Sequence, residues 1–182
     1  MTRRLGFLLL FLLLAAPVEA QRLSPSGGST TAAGVEVLSA QTGGAGCTGS
    51  GTDDTLFTYT LPADTLSANG KGVRITAWVT QAANTNTKIV KLHFGGTVVA
   101  QLSANAAANV VVTQDAIVIR TGATAQVAKG LSLSAVSLPT NDLRRTAPGE
   151  TLSGTVVIKL TGNCATAAND IVGDGFLVEK LN

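Results

Sequence analysis

The chain has 182 residues, 13 basic, 11 acidic and a single His, with 20 Gly and 2 Cys. Near-neutral charge without a basic stripe argues against a nucleic-acid binder, and a lone His with two distant Cys argues against a His/Cys zinc site. Scarce Glu and Lys beside abundant Thr and Val favour strands over exposed helices.

The first twenty residues read as an export signal. Arg3 and Arg4 give a cationic start, Leu5 to Ala16 an apolar run, and Val18-Glu19-Ala20 a cleavage site before Gln21. A membrane anchor is the competing reading, but twelve helical residues span only about 18 Å of a roughly 30 Å hydrocarbon core. Removal of 20 of the 182 residues leaves 162, the size of one domain. Losing Arg3, Arg4 and Glu19 takes the counts from 13 basic and 11 acidic to 11 and 10, a net charge of +1. The expected protein is therefore secreted or periplasmic and free of the membrane after cleavage, with a virion-associated location as the alternative. Residues 21–33 are Ser, Thr, Gly and Pro-rich and read as a flexible linker. A single β-sandwich domain is expected over 34–182.

Gly34 to Gln41 alternates as a first strand would. Gln41 to Asp54 is a Gly-rich loop holding Cys47. Between Leu56 and Phe94 lie three runs with period-two alternation, separated by polar turns. Phe57, Tyr59 and Leu61 share one face of the first. Val73, Ile75, Ala77 and Val79 oppose Arg74, Thr76, Trp78 and Thr80 in the second. Val90, Leu92 and Phe94 oppose Ile89, Lys91 and His93 in the third. Gly95-Gly96 then predicts a hairpin into Thr97–Ser103, with positive φ supplied by glycine.

Ala104 to Asn109 reads as a loop, with a short helical turn as the alternative. Val110 to Arg120 is a β-branched run in which Asp115 predicts a bulge or break. Gln126 to Leu138 places Leu131, Leu133 and Ala135 on one face. Pro139 to Gly149, with the pair Arg144-Arg145, reads as a solvated loop. Thr151 to Leu160 points Val156, Ile158 and Leu160 inward. Gly162 to Gly175 reads as a second Cys loop, and Phe176 to Leu181 as the last strand. Eight to ten strands with regular turn signals predict an all-β antiparallel sandwich. A jelly roll of two four-stranded sheets fits the count best. An immunoglobulin-like sandwich comes second, because Cys47, Trp78 and Cys164 are not spaced as that fold spaces them.

Tyr59 to Pro62, Leu66 to Gly70, Arg74 to Trp78, Asn86 to Lys88 and Phe94 to Gly96 resemble a domain of tailed-phage virion and tail proteins. The resemblance covers roughly Thr52 to Leu181. It implies a jelly-roll-like β-sandwich with a structural or adhesive role, commonly trimeric and without catalysis. Its pattern offers no catalytic residues. The leader and the cysteine pair lie outside that pattern, since virion proteins assemble in the cytosol.

After export, Cys47 and Cys164 are expected to form a disulfide, the only pairing two cysteines allow; free thiols and zinc are the alternatives. A hydrolase would need a triad or opposed carboxylates. His93 is the only candidate base, and Asp64, Asp115 and Glu150 sit in separate segments. No cofactor is expected. Calcium is the alternative, because a Cys47–Cys164 bridge would bring Asp53 and Asp54 near Asn169, Asp170 and Asp174, against the competing reading that these residues make turns. Arg74, Trp78, Lys91 and His93 are candidate ligand or subunit contacts. The sequence thus favours a secreted, non-catalytic structural or adhesive module, homo-oligomeric. A lectin-like, glycan-binding module is the second reading and a small hydrolase the third.

Overall fold

The structure, a computed structural model, describes residues 35–104, 109–134 and 142–181. The expected leader, the linker, the centre of the Ala104–Asn109 loop, the stretch from Ala135 to Leu138 and the start of the Pro139 loop lie outside the described residues. All ten strands belong to one compact unit. They are β1 Glu36–Thr42, β2 Asp53–Leu61, β3 Gly72–Gln81, β4 Lys88–Phe94, β5 Thr97–Ala104, β6 Val110–Gly122, β7 Ala125–Ser134, β8 Asp142–Thr146, β9 Val156–Cys164 and β10 Ile171–Leu181.

The strands form two antiparallel sheets, ordered β1-β10-β3-β6-β7-β8 and β2-β9-β4-β5. The pairings are nested: β1 with β10, β2 with β9, β3 with β6 and β4 with β5. A long antiparallel ribbon rolled upon itself gives this nesting, which is the jelly roll. The expected two sheets of four become six and four because the β7–β8 hairpin is inserted between β6 and β9 and extends one sheet.

Strand alternation builds the core. Val73, Ile75, Ala77 and Val79 of β3 are fully buried, as are Val90, Leu92 and Phe94 of β4 and Ile158 and Leu160 of β9. Phe57 and Phe176 stack across the two sheets with ring centroids 5.7 Å apart. At the β7 side the sheets nearly touch, and a Cβ on Gly130 would overlap the Val99 carbonyl of β5.

Several expectations are corrected. Asp115 neither bulges nor breaks β6, which pairs with β3 without a register shift. It points outward and accepts a hydrogen bond from Thr76 Oγ1 at 2.7 Å. Leu131 and Leu133 do share a face, but it is the outer one; Gln126, Ala128, Gly130 and Ser132 face the core. Arg144 and Arg145 lie in strand β8 rather than a loop. The second Cys loop shrinks to 165–170, because β9 runs on to Cys164 and β10 starts at Ile171. Of the two turn glycines only Gly95 takes a positive φ, 58°, the requirement of a type II′ hairpin.

Candidate functional site

Cys47 and Cys164 are bridged, with Cα atoms 5.9 Å apart. Both are buried. The bridge ties the β1–β2 loop to the end of β9, and main-chain bonds flank it. Cys47 N donates to Ile171 O at 3.0 Å, Asn169 N to Cys47 O at 2.8 Å and Gly51 N to Cys164 O at 2.9 Å.

The five oxygen-bearing residues near this bridge do not converge. Asp53 pairs with Lys91 Nζ at 2.8 Å. Asp54 accepts from Thr48 N at 2.7 Å and Thr48 Oγ1 at 2.9 Å. Asp174 accepts from Thr80 Oγ1 at 2.8 Å. Asn169 sits at a φ of 61° in the turn, where Asn is tolerated. Asp170 is buried and accepts from Asn84 Nδ2 at 2.6 Å and Asn86 Nδ2 at 2.8 Å. Among the described residues no three His, Cys, Asp or Glu side chains come together as a metal site would require. Each carboxylate is held by its own donors, those of Asp53, Asp170 and Asp174 coming from other segments of the chain.

The four candidate contact residues split between opposite surfaces. Arg74 and Trp78 lie on the outer face of the six-stranded sheet. Lys91 and His93 lie on the outer face of the four-stranded sheet, among Thr55, Thr58, Thr60 and Lys159. His93 Nε2 lies 3.1 Å from the hydroxyl of buried Thr161. Burial lowers the His93 pKa, Lys159 and Lys91 add to that, and Asp53 only partly opposes it. The ring is therefore neutral at pH 7. Burial alone would raise the Asp53 carboxyl, but hydrogen bonds from Lys91 and Asn163, with the Lys91 and His93 charges, hold it below its ordinary value. Glu150 accepts from Gly96 N at 2.7 Å and caps the β4–β5 turn. Asp64 lies in the loop after β2 at a φ of 59°.

Trp78 rests on Gly175 of β10. A Cβ at Gly175 would run into the six-membered ring of the indole. Trp78 is the single tryptophan of the chain, so its emission reports on this seat. Gly175→Ala is expected to push the ring into solvent, red-shift its emission and lower the melting temperature by several degrees, since overpacking costs about 1–3 kcal/mol. Unchanged emission and melting would contradict this seating.

A second polar cluster was not anticipated. Lys88 has the same strand parity as Val90, Leu92 and Phe94 and is fully buried. Its Nζ donates to Asn84 O at 2.9 Å, Asn84 Oδ1 at 2.7 Å and Asn86 O at 3.1 Å. Behind it, Asp170 holds the amides of the same two asparagines. Burial lowers the Lys88 pKa while the Asp170 charge raises it, and burial prevails. The parity of Lys88 was the available signal, because period two puts it on the core face.

The fold and these sites define an all-β jelly-roll sandwich, closed at its Cys loops by a disulfide. No family model and no curated protein matches the chain.

Proposed function

We propose that the protein is a secreted, non-catalytic structural or adhesive module that works as a homo-oligomer, a trimer by its resemblance to phage tail and virion domains. The observation that carries this reading is the contrast between the two outer faces. That of the four-stranded sheet is largely polar, with Ile89 and Val98 half-buried and Val157 its one large exposed aliphatic side chain among the described residues. On that of the six-stranded sheet Val111, 47% exposed, lies diagonal to Trp78, and Leu133, 41% exposed, lies beyond Thr113 in the row of Trp78. Exposed aliphatic side chains gathered near an aromatic on one sheet face suit a contact site. A subunit contact centred on Trp78, Val111 and Leu133 gives that surface a use.

Size-exclusion chromatography with light scattering tests it. The expected mass of the protein without its leader is that of a trimer, and Leu133→Asp is expected to shift it to the monomer. A monomer at micromolar concentration defeats the oligomer reading.

A lectin-like module is the second reading, favoured by the Trp78 ring beside the hydroxyls of Thr76, Thr80 and Thr113. A glycan array separates the two: binding that disappears in Trp78→Ala supports the lectin.

A further inference from the structure

On the same outer face, a groove of about 510 Å³ runs between β6, β7 and β8. Its walls are the aliphatic side chains of Ile117, Ile119, Val127 and Leu143. Leu143 is 63% exposed, the highest value among the described large hydrophobic residues. The polar rim is cationic, made by Lys129 and Arg145.

Register explains how the cations gather. Arg74 lies opposite Ile117, Ile117 opposite Lys129, and Lys129 opposite Arg145. Residues directly opposite in antiparallel strands share a face, so Arg74, Lys129 and Arg145 form one outward row across four strands, and Glu179 of β10, opposite Arg74, continues it with a carboxylate. With strands about 4.8 Å apart, Lys129 and Arg145 are immediate neighbours and Arg74 is about 10 Å from Lys129. All three are exposed. None of them makes an ion pair among the described residues, while Arg144 is held by Asp142. Like charges directly opposite destabilise an antiparallel pair. The Lys129–Arg145 pair carries that penalty at the lip of an aliphatic trough.

The volume lies within the roughly 300–1,000 Å³ of small-ligand sites, which are mostly apolar with a few placed polar groups. Here the placed groups at the groove, Lys129 and Arg145, are both cations, while the carboxylates of Asp115 and Glu179 lie on the side toward Arg74. A second copy facing this patch across a twofold axis would set these cations against their own kind. We propose that the groove binds an amphipathic carboxylate, a fatty-acid-like ligand whose chain lies along Ile117, Ile119, Val127 and Leu143 and whose head is held by Lys129 and Arg145. This goes beyond the oligomer reading and does not rest on it, because the groove is built by Ile117, Ile119, Val127 and Leu143 and not by Trp78 or Val111, although Leu143 is the diagonal neighbour of Leu133.

Isothermal titration with octanoate, decanoate and dodecanoate, below their micelle concentrations, tests the proposal. Full burial of a methylene is worth up to about fourfold in affinity. In an open groove a gain of about twofold per added methylene is expected. The double variant Lys129→Gln/Arg145→Gln should weaken dodecanoate about tenfold, and Leu143→Asp by a similar factor, with melting temperatures near that of the parent because all three side chains are exposed. Lys91→Gln on the opposite face should change nothing. Dodecanol, which lacks the charge, should bind at least tenfold more weakly than dodecanoate. The proposal is overturned by absence of carboxylate binding, by affinity indifferent to Lys129 and Arg145, or by equal affinity for dodecanol. Binding to phosphatidylglycerol vesicles without binding of monomeric dodecanoate also overturns it and assigns the face to a membrane surface. Light scattering and titration fail independently, so a monomer that binds dodecanoate sinks only the oligomer reading.

Discussion

Replacing Cys47 and Cys164 together by alanine is expected to lower the melting temperature by about 10–20 °C. The bridge spans a sequence separation of 117 residues. In the chain-entropy treatment a loop of that size restrains the unfolded chain by about 4–5 kcal/mol, and a domain of this length loses roughly 2–4 °C per kcal/mol. The native loops have further reasons to stay docked. Cys47 and Asn169 exchange main-chain bonds with the opposing loop, and Gly51 N still reaches Cys164 O. The variant should therefore keep its near-ultraviolet circular dichroism spectrum while losing stability. Differential scanning calorimetry of variant and parent decides it; a difference under about 3 °C would falsify the assignment of stability to the bridge.

Lys88→Met should be almost as damaging, about 3–5 kcal/mol and near 10 °C, because it removes one partner from a buried charged cluster. The methionine keeps the bulk of the stem. It leaves Asn84 O, Asn84 Oδ1 and Asn86 O without the donor they share, and Asp170 without the nearby cation. The pH profile adds a signature that plain loss of packing would not give. Burial alone would raise the Asp170 carboxyl, but the Asn86 and Asn84 amides and the Lys88 charge hold it below its ordinary value. A depressed carboxylate contributes stability above its unfolded value of about 3.9, and that stability is lost as pH falls through the folded value. Without Lys88 the acid limb should move to higher pH. Lys88 itself titrates below 10.5 in the fold. Between its folded value and 10.5 the unfolded chain binds more protons, so stability rises with pH there in the parent and not in the variant. Urea melts at pH 3 to 10 measure both limbs, and parallel profiles for the two proteins would refute the cluster.

The strands that could be read in the sequence are those with one buried face and a punctuating turn. β3 alternates over Val73 to Val79, and β4 runs into Gly95-Gly96. β8 was invisible because it is an edge strand paired only with β7, and Asp-Leu-Arg-Arg-Thr holds one aliphatic residue. β7 shows that alternation finds two faces without saying which is inward. Where Gly130 meets Val99 of the facing strand, the core has no room for a leucine, so the leucines turn outward. Asp115 carries no break because it uses an outward position and a threonine one strand away. In the candidate sites, cysteine count led to the bridge. Parity within one strand did not reveal that Arg74 and Trp78 belong to a different sheet from Lys91 and His93. The oxygen residues stay apart because Asp53, Asp170 and Asp174 each take donors from a different segment, Lys91, Asn84 with Asn86, and Thr80, which sequence order does not reveal. The cationic row needs the registers of β3, β6, β7 and β8 at once, which no single segment encodes.

The place of β10 in the sheet governs the order in which this protein can be completed. It is the last of the ten strands along the chain, yet it lies between β1 and β3. Until Ile171–Leu181 has been made, β1 and β3 face each other across an empty slot, two unpaired borders waiting for the same insert. Pairings that close over such sequence distances are slow. A chain cut before Ile171 would therefore leave β1 without its partner in the larger sheet and β3 as a bare edge of the remaining β3-β6-β7-β8 strands.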